Sequence, residues 1–176
     1  MLLKLAKHLI GRAERRVGVT FDHVHHIADT DLGLLARYNR IFGFIDPNRH
    51  VPPFAYHTAR LIGARSGDCG TCVQAEISLA RRSGLSVDSI SAVLRFDLNE
   101  LPPEIAAVAN LAKAVTDARG EDSEAREIVR RAYGENGLIE IAFAMSGAAL
   151  LPNIKRAMGY ATSCNLDMLE SLNPPQ

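Results

Sequence analysis

Helix start and stop signals recur along the whole sequence, and they constrain its fold more than any other feature. Caps or prolines that can begin a helix lie at positions 29–31, 52–53, 86, 102–103 and 123, and glycines that can end one lie at 43, 84 and 134. Apolar residues recur at helical spacing between these signals, and no segment alternates with period two for long enough to form a strand. The sequence therefore predicts an all-α fold.

The overall charge of the chain excludes two classes of partner. Its 176 residues contain 20 Lys and Arg and 20 Asp and Glu, so the formal net charge is zero. A protein that binds nucleic acid or lies on an anionic membrane surface needs a surplus of Lys and Arg. We therefore expect neither a nucleic-acid partner nor a membrane partner, and we expect a chain of this length to form one compact unit.

The apolar segments and the cysteine count indicate a cytoplasmic protein. Residues 1–16 alternate apolar and cationic residues and lack the unbroken apolar core of a secretory signal, so they predict an amphipathic helix. The longest apolar segment, Leu138 to Pro152, is interrupted by Glu140 and is shorter than the roughly 20 residues that span a membrane. Three cysteines are too few for a disulfide framework, and in a reducing compartment a close pair is typical of catalysis or metal binding.

The two close cysteines lie in the segment S-G-D-C-G-T-C-V-Q-A-E, residues 66–76. On a helix, Cys69 and Cys72 occupy positions i and i+3, so their side chains lie on one face, close enough to form a disulfide. The unpaired N–H groups and the dipole of a helix N-terminus favour a thiolate, most strongly at Cys69, which is nearer the end. The pattern predicts a redox-active cysteine pair.

His57 and Glu76 are the expected partners of this pair. If the helices before and after residues 66–68 are antiparallel, both residues lie about 12 Å from the turn, at a rise of about 1.5 Å per residue, and face one another. A carboxylate that orients an imidazole beside a thiol can relay protons to and from sulfur. The candidate catalytic residues are therefore Cys69, Cys72, His57 and Glu76, with no cofactor and no bound metal.

Other interpretations of these residues remain open at the level of sequence. One His and one Glu beside the two cysteines could complete a zinc site, although such sites usually carry a second pair of Cys or His ligands. Two buried, inert cysteines are a further alternative. The histidines of H-V-H-H, which are His23, His25 and His26, could bind a metal, or one could pack against the core while the others are solvated. Cys164 has no cysteine near it in sequence and is expected to be a small buried side chain.

The order of motifs resembles that of the carboxymuconolactone decarboxylase superfamily, and the cysteine pair is similar to that of alkylhydroperoxidase D. The resemblance rests on the C-x-x-C segment, the following R-R-S-G-L-S, the L-P-P-E that begins a later helix and the terminal L-P-N-I-K-R-A-M-G. It covers about Val51 to Tyr160. It implies a helical arm over residues 1–50 and, over residues 51–176, a helical bundle with a central antiparallel hairpin that carries the C-x-x-C.

The resemblance also implies an activity and a set of partners. Redox members of the family usually carry Glu twelve residues before the first cysteine and His four residues after the second, positions that hold His57 and Glu76 here. Thr71 stands where alkylhydroperoxidase D often has His. The resemblance implies that a small-molecule peroxide oxidises Cys72 to a sulfenic acid, that Cys69 closes a disulfide and that a dithiol or thioredoxin-like donor reduces it. It further implies a homo-oligomer, a trimer or a hexamer.

Two alternatives to a thiol enzyme remain. The superfamily also contains non-redox lyases, and a chain of that type would use His57 and Glu76 to move protons on a small carboxylate or lactone. Its activity would survive the loss of either cysteine. The other alternative is a helical oligomer without catalysis, whose cysteines only sense oxidation or stabilise the fold.

Overall fold

A computed structural model of the protein describes residues 1–45, 50–117 and 120–161. Within these residues the chain forms α-helices and a short 3-10 helix, Leu98–Glu100, and no strand. The helices are α1 (Leu2–Val17), α2 (Asp22–Thr30), α3 (Leu32–Ile45), α4 (Pro53–Ser66), α5 (Gly70–Arg82), α6 (Val87–Arg95), α7 (Pro103–Thr116) and α8 (Ser123–Ala157). The predicted all-α fold is confirmed.

The central helix of the fold is α4. Every residue from Ala55 to Ala64 is buried, so neighbouring elements cover this helix on all sides. It packs against α5, α7 and α8, and the shared core includes Leu61, Val108 and Ile141. Polar residues on α4 are therefore held inside the protein, where a charge or a hydrogen-bonding group needs a partner.

The predicted antiparallel hairpin is formed by α4 and α5. Pro53 lies in the first turn of α4, where its missing N–H costs nothing. The chain reverses through Asp68, whose φ of 44° is a left-handed conformation that Asp adopts more readily than most residues. Cys69 follows as the N-cap of α5. The C-x-x-C segment thus begins the second helix of the hairpin.

Helix starts follow the local signals closely. Ser86 caps α6, as predicted, by accepting a hydrogen bond from the backbone N–H of Ser89 at 3.1 Å. The cap of α8 is Asp122 rather than the predicted Ser123, because Oδ1 of Asp122 accepts the N–H of Ala125 at 2.8 Å. A carboxylate at this end also interacts favourably with the helix dipole.

Two helical segments joined at Gly134 make up α8, where the sequence predicts three helices. Gly134 has φ 71° and ψ −179°, so the helix breaks there as predicted but resumes at once. Pro152, predicted to end the apolar segment, lies inside α8, and the helix expected from Asn153 is the last part of it. Because Pro152 is buried against the turn at Gly67, its packing offsets the hydrogen bond that a proline cannot donate.

By length and composition, α8 could also cross a membrane. Half of its most apolar 18-residue window is nevertheless buried inside the fold. A core helix of a soluble protein has the same properties, so α8 fits such a protein. The cytoplasmic location stays a prediction.

A second apolar cluster is formed by α1, α2 and α3. Its buried residues are Ile10, Val24, Ile27, Ala28, Leu35 and Tyr38, against which Leu151, Ile154 and Met158 pack. In addition, α1 contacts α5 and α3 contacts α8. The first three helices therefore lie over α5 and the C-terminal part of α8, although the division into an arm (1–50) and a domain (51–176) stays a prediction.

Replacement of Gly63 by alanine is expected to destabilise the protein by about 1–3 kcal/mol. A Cβ at this position would lie 2.3 Å from the carbonyl oxygen of Met145, so α4 and α8 would have to move apart. Gly43→Ala in α3 is the matched control, because a Cβ there meets nothing within 4 Å and alanine favours a helix. Urea denaturation measures the difference, and equal midpoints for the two variants would contradict the close approach of α4 and α8.

Candidate active site

The turn between α4 and α5 presents the cysteine pair at a helix N-terminus. Cys69 is the N-cap, with an extended backbone (φ −128°, ψ 101°), and its carbonyl oxygen accepts the N–H of Cys72 at 3.0 Å. The guanidinium of Arg156 in α8 donates to the carbonyl oxygens of Gly67 at 2.7 Å and Asp68 at 2.8 Å. The C-terminal part of α8 therefore holds the turn that carries the pair.

The two thiol groups are close enough for the thiol of Cys72 to donate a hydrogen bond to a thiolate on Cys69. Cys69 is completely buried, whereas Cys72 is partly exposed. The hydrogen bond from Cys72, aided by Thr71, the backbone of Cys72 and the charge of Lys155, outweighs burial and lowers the pKa of Cys69 to about 5. The same hydrogen bond, burial and the charge of Cys69 raise the pKa of Cys72. At neutral pH the pair therefore shares one proton, which lies on Cys72 while Cys69 carries the negative charge.

A buried lysine lies beside the pair. Lys155 of α8 is only 5% exposed, and its ammonium donates a hydrogen bond to Oγ1 of Thr71. Thr71 Oγ1 in turn lies 3.5 Å from Sγ of Cys69. Pro152, one turn before Lys155 on the same face of α8, packs against Gly67, so the contact of α8 with the turn places the lysine.

Cys72 lines a cavity of about 750 Å³, a size typical of small-molecule sites. His57 and Glu76 line the same cavity, so three of the four predicted catalytic residues share it. Cys69 does not line the cavity. A molecule bound there would therefore meet the sulfur of Cys72 first.

Much of the cavity wall is apolar and comes from the N-terminal helices. The apolar residues that α1, α2, α3 and their connections contribute include Leu9, Ile10, Val17, Phe21, Val24, Leu35 and Phe42. The polar side chains His23 and Tyr38 also come from this part of the chain. Residues 1–45 therefore complete the site, a role that no local sequence pattern indicates.

Glu76 is held by Arg60 in a buried ion pair. Nε of Arg60 donates to Oε2 of Glu76 at 2.7 Å, and Nη2 donates to Oε1 at 2.8 Å. Nη1 of Arg60 also donates to the hydroxyl of Tyr56 at 2.9 Å, and that hydroxyl donates to the carbonyl oxygen of Ile45 at 2.8 Å. The planar guanidinium matches the carboxylate in two parallel hydrogen bonds, and the network ties α3, α4 and α5 together beside the cavity.

The predicted direct pairing of His57 with Glu76 is not what the described contacts show. Nε2 of His57 is hydrogen-bonded to Oγ of Ser83 at 2.7 Å, whereas both oxygens of Glu76 bond to Arg60. Because α5 begins only at Gly70, the residue that His57 meets is Ser83, the C-cap of α5, rather than Glu76. Arg60 is one turn nearer the reversal of the chain, and its long side chain reaches the carboxylate instead.

The three histidines of the N-terminal segment have separate partners. Nε2 of His23 is hydrogen-bonded to the hydroxyl of Tyr38 at 3.0 Å, and Nε2 of His25 lies 3.2 Å from Oε1 of Glu14. Burial, more than any charge, lowers the pKa of His23 to about 4. The ring of His26 contacts an aromatic ring near the end of the described chain. Among residues 1–45, 50–117 and 120–161, no three His, Cys, Asp or Glu side chains are arranged to hold a metal ion.

The sequence pattern did not predict two charged residues that line the cavity, Arg60 and Lys155. Arg60 lies one turn after His57 on α4, so its spacing could have indicated it as a competitor for Glu76. Lys155 has no such indicator, because its hydrogen-bond partner is 84 residues away in the chain. The predicted burial of Cys164 concerns a residue outside the described ranges.

The sequence matches no family model and no curated protein. Among solved structures, the chain is similar to the crystal structure of the debrominase Bmp8 in its apo form, with a TM-score of 0.76 and 18% sequence identity. The two chains share a fold. The similarity covers 96% of this chain and 92% of the Bmp8 chain, so it includes N-terminal helices as well as the hairpin. The architecture is thus one that a known enzyme uses, and function has to be argued from the site.

Proposed function

We propose that the protein is a cofactor-free thiol oxidoreductase similar to alkylhydroperoxidase D, in the carboxymuconolactone decarboxylase superfamily, and that it reduces small organic hydroperoxides. The observation that carries the proposal is the pair of thiols at the N-terminus of α5, with Cys72 open to a cavity and Cys69 buried behind it. The thiolate of Cys69 can accept the proton of Cys72 when the sulfur of Cys72 reacts. The fold shared with an enzyme agrees with a catalytic role.

The first step is an attack by the sulfur of Cys72 on the hydroperoxide. Two electrons pass from sulfur to the O–O bond, which breaks, and Cys72 becomes a sulfenic acid. The proton of Cys72 moves to the thiolate of Cys69 during the attack. It then passes to the departing alkoxide, which leaves as an alcohol.

The second step closes the disulfide. The sulfur of Cys69, again a thiolate, attacks the sulfenic acid of Cys72, an S–S bond forms and hydroxide leaves, taking a proton from solvent to become water. A dithiol or thioredoxin-like donor then reduces the disulfide to the thiol pair and is itself oxidised to a disulfide. The cycle needs no metal and no organic cofactor.

His57 and Glu76 serve this cycle in separate ways. Glu76, held by Arg60, places a negative charge near Cys72 that helps to raise its pKa, which keeps the shared proton on Cys72. His57 lines the cavity, whereas Cys69 does not, so we assign to His57 the relay of the shared proton from Cys69 to the alkoxide. The two residues therefore act on the same pair without bonding to each other.

One equivalent of an alkyl hydroperoxide is expected to remove two free thiols from the reduced protein. Stopped-flow mixing followed by thiol counting measures the loss, and peptide mass spectrometry should find a bridge between Cys69 and Cys72 while Cys164 stays reduced. Retention of both thiols, with no turnover in the presence of a dithiol donor, would overturn the proposal.

A second candidate reaction is reductive dehalogenation, which the fold shared with a debrominase and the size of the partly apolar cavity favour. In that reaction the two sulfurs give up two electrons and form a disulfide, the carbon–halogen bond breaks, the carbon takes a proton and halide leaves. Release of bromide from a brominated aromatic compound, with no reduction of hydroperoxides, would favour this reaction over the first.

The lyase alternative receives less support from the site. Both oxygens of Glu76 already accept hydrogen bonds from Arg60, so the carboxylate is poorly placed to take a proton from a substrate. A lyase would also have no use for a shared proton between two thiols. Lactone decarboxylation that survives in a Cys72→Ser variant would favour the lyase.

We also propose that the protein forms a homo-oligomer, a trimer or a hexamer. The rings of Phe44 and Phe143 lie 4.6 Å apart and are both about half exposed, and Ile139 lies one turn before Phe143 on the same helix. Exposed apolar groups of this kind favour association between copies of a chain. Light scattering after size-exclusion chromatography measures the subunit count.

A further inference from the structure

We propose that Lys155 is a positioning residue of the cysteine pair: its ammonium, acting through the hydroxyl of Thr71, keeps Cys69 as the thiolate. The inference rests on the thiol chemistry proposed above. It names a buried cation that stabilises the negative charge on the sulfur of Cys69.

The contact runs through three atoms. Nζ of Lys155 can only donate, so Oγ1 of Thr71 is the acceptor in their hydrogen bond. The hydroxyl hydrogen of Thr71 is then free to be donated to Sγ of Cys69, 3.5 Å away. Each hydrogen bond in such a chain polarises the next, so the charge of the ammonium reaches the sulfur without direct contact.

Burial of Lys155 makes a negative charge nearby necessary. A lysine that is 5% exposed has lost most of its water, and an ammonium in that position is unfavourable unless it is compensated. None of the ion pairs in the described part of the chain includes Lys155. The carboxylate that lines the cavity, Glu76, already pairs with Arg60. The compensating negative charge is the thiolate of Cys69, to which Lys155 is connected through the hydroxyl of Thr71.

The other titratable groups that line the cavity beside the pair come from five helices. They are Arg16 of α1, His23 of α2, Tyr38 of α3, Tyr56, His57 and Arg60 of α4, and Glu76 and Arg82 of α5. Burial lowers the pKa of His23 to about 4 and raises the pKa of Tyr38, so both are neutral at neutral pH. Arg60 and Glu76 neutralise each other, and Lys155 is the cation whose charge acts on both sulfurs.

The test is a pH titration of the thiolate by its ultraviolet absorbance in the reduced protein. A Cys164→Ser background leaves the pair as the only thiols, since the chain has three cysteines. The midpoint is expected at about pH 5, and Lys155→Met should raise it by about one unit or more. Lys155→Arg should restore it because the charge is kept. Lys113→Met, which removes an exposed lysine of α7, is the control and should leave the midpoint unchanged.

A midpoint in folded Lys155→Met equal to that of the background protein would overturn the inference. If circular dichroism shows that this variant does not fold, Thr71→Val decides, because it removes the hydroxyl and keeps the shape. A raised midpoint in Thr71→Val, with Thr71→Ser unchanged, supports the inference, and an unchanged midpoint in Thr71→Val overturns it. No hydroperoxide enters this titration, so its outcome is distinct from that of the oxidation experiment, which tests the proposed function.

Discussion

Replacement of Cys72 by serine is expected to lower the rate of hydroperoxide reduction at least about 10³-fold. Unlike the sulfur of cysteine, the oxygen of a serine hydroxyl cannot give two electrons to an O–O bond. Cys72 lines the cavity and Cys69 is buried behind it, so within the described residues no other sulfur meets a bound substrate. Stopped-flow measurement of hydroperoxide consumption by the reduced variant gives the rate of this first step.

Replacement of Cys69 by serine is expected to separate the two halves of the cycle. One turnover should still occur and leave a sulfenic acid on Cys72, which dimedone traps for mass spectrometry, while continuous turnover with a dithiol donor should stop. Cys164→Ser is the matched control and should keep the wild-type rate. If Cys72→Ser still reduced hydroperoxide and Cys69→Ser did not, the order would be reversed and Cys69 would be the sulfur oxidised first.

Replacement of Arg60 by methionine is expected to destabilise the protein by about 3–5 kcal/mol. The change leaves the carboxylate of Glu76, which is 4% exposed, without its described ion pair and removes a donor from the hydroxyl of Tyr56. A buried charge without a partner costs far more than an exposed one, because it has lost its water as well. Urea denaturation at neutral pH, followed by circular dichroism, measures the loss.

Two further variants test whether that loss comes from the buried charge. The double variant Arg60→Met, Glu76→Leu is expected to recover most of the stability, since apolar side chains of similar volume can replace a buried ion pair. The exposed pair of Lys113 and Asp117 is the matched control, and Lys113→Met should cost about 0.5 kcal/mol or less. A loss in Arg60→Met no larger than that in Lys113→Met would be incompatible with a buried ion pair at this site.

The helices show how far local signals reach in this chain. The start of α4 at Pro53 and the cap of α6 at Ser86 follow from the sequence, because caps and prolines act within a single turn. The same signals misplace the last helix boundary. Gly134 breaks the helix as predicted, but Pro152 does not end it, because packing against α4 and the hairpin turn carries α8 through the proline.

In the candidate site, too, the local sequence determines one part and the packing of the helices determines the other. Cys69 and Cys72 are three residues apart at the start of a helix, so they lie close together whatever the rest of the chain does. The partners of His57 and Glu76 depend instead on how two helices are offset, which the length of the turn decides. An offset of a few residues is enough to pair His57 with Ser83 and Glu76 with Arg60.

The sequence by itself determined the helical class, the hairpin and the cysteine pair, each of which depends on contacts between residues close in the chain. Only the tertiary structure decided that Arg60 binds Glu76 and that Lys155 lies beside the cysteines, where it donates a hydrogen bond to a threonine 84 residues away. The physical reason is that the strength of these contacts comes from the burial of charged groups between helices. No local sequence pattern indicates which distant helix will pack against a given charged residue.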